Sequence, residues 1–228
     1  MNLLAALALL LCISGAWSQS TSATETHSIA ALKKKAASGD AKAQYDLGTA
    51  YMGGFGVPHD KTMVAFWDKK AAEQGYAKAQ ADLGVMYELG DGVPQDYVQA
   101  AKWYRKAAEQ GDSFAQTNLG RSYSNGHGVP QDYAQAVIWY RKAAEQSHVT
   151  AQESLATLYF NGKGVPQDFS EAYFWYDILA AREMYTESAT SEQYTRGRDA
   201  AASHLTPAEL SQAQERARRW FEDHPSNP

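Results

Sequence analysis

The chain has 228 residues, 44% of them hydrophobic and 21% charged, enough apolar material to bury a core and too much for a disordered polymer. Its formal net charge of −5 gives no electropositive footprint for nucleic acid, which needs lysine and arginine gathered on one face. The one basic run near the start, Lys33 to Lys35, reads as a solvated helix face.

Residues 1–18, MNLLAALALLLCISGAWS, carry no charged side chain and hold an apolar stretch from Leu3 to Ile13 followed by small residues, the pattern of a secretory signal peptide. Ala16 and Ser18 supply the small residues that cleavage between Ser18 and Gln19 requires, so the mature chain is expected to be periplasmic or secreted. The apolar stretch is shorter than the roughly 20 residues a membrane-spanning helix needs, so no stable anchor is expected in the mature chain. Cys12, the single cysteine, leaves with this segment, and no disulfide framework can form. Leu11 stands where lipidation of Cys12 would need a small residue.

A flexible linker, 19–28, leads to residues 29–40, which read as a lone capping helix with Gly39 in phase with Gly75. From 41 to 184 the chain repeats every 36 residues. Gly56-Val57-Pro58 with Asp60 recurs at Gly92-Val93-Pro94 with Asp96, Gly128-Val129-Pro130 with Asp132, and Gly164-Val165-Pro166 with Asp168. Within each unit the spacing of Ala43, Leu47 and Tyr51 places them on one stripe of a helix, here called helix A. Gly48, Gly84 and Gly120 follow the leucine, and a residue without a side chain there lets a neighbouring helix approach; Ala156 replaces it in the fourth copy. Gly54, Gly90, Gly126 and Gly162 end helix A in the left-handed conformation, and the proline blocks its continuation.

The aspartates Asp60, Asp96, Asp132 and Asp168 stand where helix B must begin, and Gln99, Gln135 or Glu171 three residues on complete a capping-box pattern in three copies. Helix B then carries Trp67, Trp103, Trp139 and Trp175, each followed by tyrosine except in the first copy, where Asp68 predicts looser packing. Residues 185–228 read as C-terminal capping helices and a tail. There Thr206-Pro207-Ala208-Glu209 opens a helix whose Leu210, Ala213, Ala217 and Trp220 form an apolar stripe. Units of this kind bury their apolar faces only by stacking, which predicts an all-α, right-handed superhelical solenoid of helix–loop–helix repeats.

The chemistry-bearing patterns are thin. The Gly-x-Gly loops follow a helix, whereas a phosphate cradle needs a preceding strand. The six histidines, His27, His59, His127, His148, His204 and His224, show no ligand spacing and read as surface residues. There is no Ser-x-x-Lys and no Gly-x-Ser-x-Gly. The phase of the aromatics assigns most of them to the core, and Gln44, Gln80, Gln116 and Gln152, beside the buried stripe, are expected to satisfy loop backbone. No catalytic residue, cofactor or metal is expected.

A binding surface must then come from positions the repeat frame does not use. With Leu47 inward, the opposite side of helix A carries Lys42, Asp46 and Thr49, then Lys78, Asp82 and Val85, then Phe114, Asn118 and Arg121, then Thr150, Ser154 and Thr157. Such variation between copies suits a surface tuned to one protein or peptide, and it is equally what plain solvent exposure would leave.

The pattern A-x-x-x-L-G-x-x-Y, then G-x-G-V-P-x-D, then A-x-x-W-Y-x-K-A-A-E-Q-G, fullest from Ala79 to Gly111, resembles the Sel-one-like repeat family, relatives of the tetratricopeptide repeat. The resemblance implies an α-solenoid serving as an exported scaffold or adaptor for protein partners, with no shared catalytic residues. Some secreted cysteine-rich members are described as binding or hydrolysing β-lactams, which leaves a cell-wall ligand binder or β-lactamase-like enzyme as the alternative. Those members carry a disulfide in each repeat, and the mature chain has no cysteine.

Overall fold

The computed structural model describes residues 28–182 and 189–224. The signal segment with Cys12, the linker through His27, the end of the fourth repeat beyond residue 182 and the last residues of the tail lie outside the described residues. Among the described residues there are eleven helices and no strand. They divide into two compact units between Gln95 and Asp96. The first holds α1 (28–37), α2 (Ala41–Gly53), α3 (Lys61–Glu73) and α4 (Ala77–Leu89). The second holds α5 (Tyr97–Glu109), α6 (Ser113–Asn125), α7 (Tyr133–Glu145), α8 (Val149–Asn161), α9 (Phe169–Arg182), α10 (Ala189–Ala202) and α11 (Pro207–Asp223). Helices α2, α4, α6 and α8 are the A helices of the four repeats, and α3, α5, α7 and α9 the B helices.

Local chemistry explains where each helix starts and stops. Asp60, Asp96 and Asp132 have extended backbones, and their carboxylates accept from the free amides of the first turn; Asp168 accepts from Glu171 N at 2.9 Å. At Asp96 and Asp132 only this carboxylate half of the capping box forms. The full reciprocal box is built at Thr206 and Glu209, where a carboxylate reaches both the amide and the hydroxyl of the cap. Every A helix ends on a left-handed glycine, Gly54, Gly90, Gly126 or Gly162.

In the last three loops the second glycine does something the sequence pattern did not reveal, whereas in the first loop Gly56 faces the Ile29 side chain. Gly128, at φ +72°, lies so close to the first residue of the preceding B helix that an added Cβ would collide with the Tyr97 carbonyl. Gly164 meets the Tyr133 backbone in the same way, and in the first unit Gly92 meets that of Lys61. The loop is thus pressed backbone to backbone on the preceding repeat.

A buried glutamine makes the second link between repeats. Nε2 of Gln44, Gln80, Gln116 and Gln152 donates to the carbonyl of Ala36, Ala72, Ala108 and Ala144 respectively, at 3.0–3.1 Å. The acceptor is the last turn of the preceding helix and not the expected loop. Gln74 and Gln146 donate in turn to Oε1 of Gln44 and Gln116, at 2.7 and 2.8 Å. Arg182 stands at the corresponding place in the fourth repeat, and Gln152 Oε1 has no hydrogen-bond partner.

Apolar packing completes each unit. Leu47 and Val57 with Ala36, Ala43 and Ala50 fill one part of the first unit. In the second, Leu155, Trp175 and Ile178 join Ala213 and Ala217 of α11, with Leu210 and Trp220 partly buried beside them. Fully burying a leucine contributes about 1.5–3 kcal/mol, so the wholly buried Leu119 and Leu155 are large single contributions.

Gly128→Ala should lower stability by about 2–4 kcal/mol, since the new methyl meets fixed backbone at a positive φ. Gln116→Ala should cost about 0.5–1.5 kcal/mol, the worth of one hydrogen bond, since the Ala108 carbonyl still accepts from Gly111 N at 3.1 Å. Urea unfolding followed by circular dichroism measures both.

Candidate functional site

The variable positions of the A helices are held by this frame, and the structure separates them by exposure. In the first unit Lys42, Thr49 and Lys78 are exposed, while Asp46, Asp82 and Val85 are half-buried. Lys42 donates to Asp46 at 2.7 Å, Thr49 Oγ1 to the Tyr45 carbonyl at 3.1 Å, and the Tyr45 hydroxyl to Asp82 at 3.0 Å. The Tyr45 ring also packs on Tyr76, with centroids 5.1 Å apart.

In the second unit Phe114, Arg121, Thr150 and Thr157 are exposed and Ser154 is half-buried. Asn118 is not on the open face: it is 4% exposed, and its Nδ2 has no hydrogen-bond partner. The helical wheel puts it on the flank, and packing covers the flank here, while Asp46, Asp82 and Ser154 at the same phase stay half-buried. Asn118 precedes the inward Leu119 by one residue and so sits about 100° from the core direction, on the flank, whereas Phe114 and Arg121 lie about 140° and 160° away.

Two tyrosines that the sequence reading assigned to the core also reach this face. Tyr140 packs its ring on Gly120, is hydrogen-bonded to Ser154 and lies near the charge of Arg121. Tyr176 brings its hydroxyl to 3.0 Å from Thr157 Oγ1. Burial raises both phenols above their ordinary value. Their common phase with Tyr104 was the available signal, and it was read only as packing.

Asp68 holds the matching place in the first unit. It is 2% exposed and set against Gly48, so the looser packing expected there is not found. Its Oδ1 has no hydrogen-bond partner. Burial, and after it the negative charge of Asp82, push the Asp68 carboxyl up to about 8, so it is largely neutral at pH 7.

His59, His127 and His204 are exposed, but His148 is half-buried, and burial lowers its pKa against the opposing charge of Asp112. Among the described residues no group of three or more His, Cys, Asp or Glu is arranged to hold a metal ion.

Four segments, 41–76, 77–112, 113–148 and 149–188, match the Sel1 repeat model. Among solved structures the chain is similar to c5321, a protective antigen present in uropathogenic Escherichia coli strains and displaying an SLR fold. The two share 42% identity over 75% of this chain and 40% of that one, with a TM-score of 0.65. It is also similar to a Sel1 repeat protein from Oxalobacter formigenes, at 34% identity over 75% of this chain and 49% of that one, with a TM-score of 0.65. The chain spans less than half the length of either. None of the curated proteins compared with it matches.

The raised Asp68 pKa sets a sign for the pH dependence. The unfolded chain ionises Asp68 near its ordinary 3.8, while the folded chain keeps the proton to about pH 8. The folded state therefore binds more protons between those values, and stability falls as pH rises through that window. Urea midpoints at pH 5 and pH 8 should show a clear loss for the wild type and a smaller one for Asp68→Asn, with the variant the more stable of the two at pH 8.

Proposed function

Because the chain belongs to the Sel1 repeat family, whose members generally mediate protein–protein interaction, we propose that it is an exported scaffold holding a protein partner on the A-helix faces of its repeats. The observation that carries the reading is Phe114. A phenylalanine on an otherwise periodic frame is left 45% exposed, where the other copies carry lysine or threonine, and Arg121 lies two turns further along the same helix face. Aromatic and arginine side chains contribute disproportionately to binding free energy at interfaces, because each presents a large surface for little conformational entropy. The helices that carry them are tied by buried glutamines and by backbone contacts at the loop glycines, so the face is held in shape before a partner arrives.

Export is supported by the uncharged, apolar start of the chain and by the small residues Ala16 and Ser18 before Gln19. The reading assigns no catalytic residue; Sel1 repeat proteins are mostly non-enzymatic scaffolds.

Two measurements check this. Cell fractionation with intact-mass analysis should find a periplasmic or secreted species beginning at Gln19; a cytoplasmic, full-length chain would remove the export assignment. Affinity capture from an envelope extract should recover a specific protein, and Phe114→Ala with Arg121→Ala should weaken that capture by about tenfold or more. Asn118 is unsuitable for this purpose because its substitution would disturb the buried flank. Capture that survives disruption of the whole A-helix face would contradict the assignment.

A further inference from the structure

The B helices of the second unit carry a feature that the A-helix reading leaves unused. Where α5 meets the Gly128–Val129 loop there is an open cleft of about 360 Å³, and where α7 meets the Gly164–Val165 loop there is its counterpart, of about 480 Å³. The same construction therefore occurs twice, one repeat apart. Ala101 and Val129 line the first cleft and Val137 and Val165 the second. At the edges, Val98 and Ile138 are 62% and 47% exposed, so each cleft carries an aliphatic rim.

Cations dominate the walls. Lys102, Arg105 and Lys106 line the first cleft and Arg141 and Lys142 the second, against one glutamate in each, Glu109 and Glu145. That is a local excess of three positive charges, five cations less two acids, in a chain whose net charge is −5. Neutralisation by carboxylates does not occur: among the described residues none of the five cations is in an ion pair. Four of them are instead steered by aromatic rings. Lys106 lies over Trp103 at 4.1 Å and Lys142 over Trp139 at 4.3 Å, while Arg105 and Arg141 lie 5.8 and 5.7 Å from the rings of Tyr123 and Tyr159. A ring fixes a cation's position and leaves its charge unspent, so these groups are pre-placed to meet an incoming anion.

We propose that the paired clefts of α5 and α7 are a docking surface for an acidic peptide segment of a partner protein, one whose aliphatic side chains enter the clefts while its carboxylates meet the flanking cations. Charge complementarity selects the acidic class, and the recessed apolar floor selects a peptide over a flat bilayer, whose headgroups could reach the cations but not the floor. The surface is separate from the A-helix faces and stands whether or not those bind a partner.

Fluorescence anisotropy tests this with a fluorescein-labelled Asp-Glu-Leu-Glu-Asp-Ile-Asp-Glu peptide and its amide counterpart, in which every acid is replaced by Asn or Gln. The acidic peptide should bind saturably and the amide form at least about tenfold more weakly, with affinity falling as salt rises. The double variant Arg105→Glu/Arg141→Glu should weaken binding by about tenfold, and so should Ile138→Ser, which removes the apolar contact without adding charge; both are exposed changes whose folding is checked by circular dichroism. Phe114→Ala should leave this binding unchanged. Equal affinity for the two peptides, or charge reversal without effect, would overturn the proposal. So would binding to phosphatidylglycerol vesicles without binding to the peptide.

Discussion

A helix that ends in a protein interior leaves carbonyl oxygens without donors, and each unmet one costs free energy on the scale of a whole side-chain contact. In this chain the carbonyls of Ala36, Ala72, Ala108 and Ala144 accept from the amides of Gly39, Gly75, Gly111 and Ser147, and a glutamine of the next helix adds a second donor at each of these four ends. The glutamine bond ties that helix end to the following A helix and fixes the distance between them. The remaining links follow from that spacing. The loop glycines Gly92, Gly128 and Gly164 can touch backbone only because the helices are already that close, and the tyrosine ring of Tyr140 finds Gly120 beneath it for the same reason. Because each link joins neighbours in sequence, the cohesion is local and repeats along the chain.

Such a frame consumes the same positions in every copy and leaves others unspent. On the A helices these are the varied residues that culminate in exposed Phe114 and Arg121. On the B helices of the second unit they are aliphatic edges and cations aligned by tryptophan and tyrosine. One aromatic position serves both purposes: Tyr140 and Tyr176 pack as core and still present a hydroxyl to the A-helix face. The first unit shows what the position tolerates. Asp68 fits against Gly48 by remaining neutral, while Tyr45 turns its hydroxyl to Asp82.

What could be read from the residues alone was whatever depends on one helix and its own turns. The aspartate caps, the left-handed glycines closing the A helices and the Thr206–Glu209 box are local events, and residue type and spacing determine them. Features that depend on a second helix were harder to read. Asn118 and Phe114 fall on the same broad side of α6, yet only the neighbouring helices decide that the flank at Asn118 is covered. Gly128 looked like a turn residue, and its contact with Tyr97 depends on a chain segment far behind it. The glutamines were recognisable as structural, but whether they bond to loop or helix end is a matter of tertiary distance. The B-helix clefts have the same origin, since each needs a helix from one repeat and a loop from the next.

A frame that holds itself together leaves its A-helix face, under the proposed function, to bind a protein. Site-specific photocrosslinking tests this most directly, with a benzophenone amino acid placed at Phe114 and, as a control, at exposed Gln212 on α11. A discrete covalent adduct with one envelope protein is expected from the Phe114 position and none from Gln212. Adducts of equal yield from both positions, or from Gln212 alone, would contradict it.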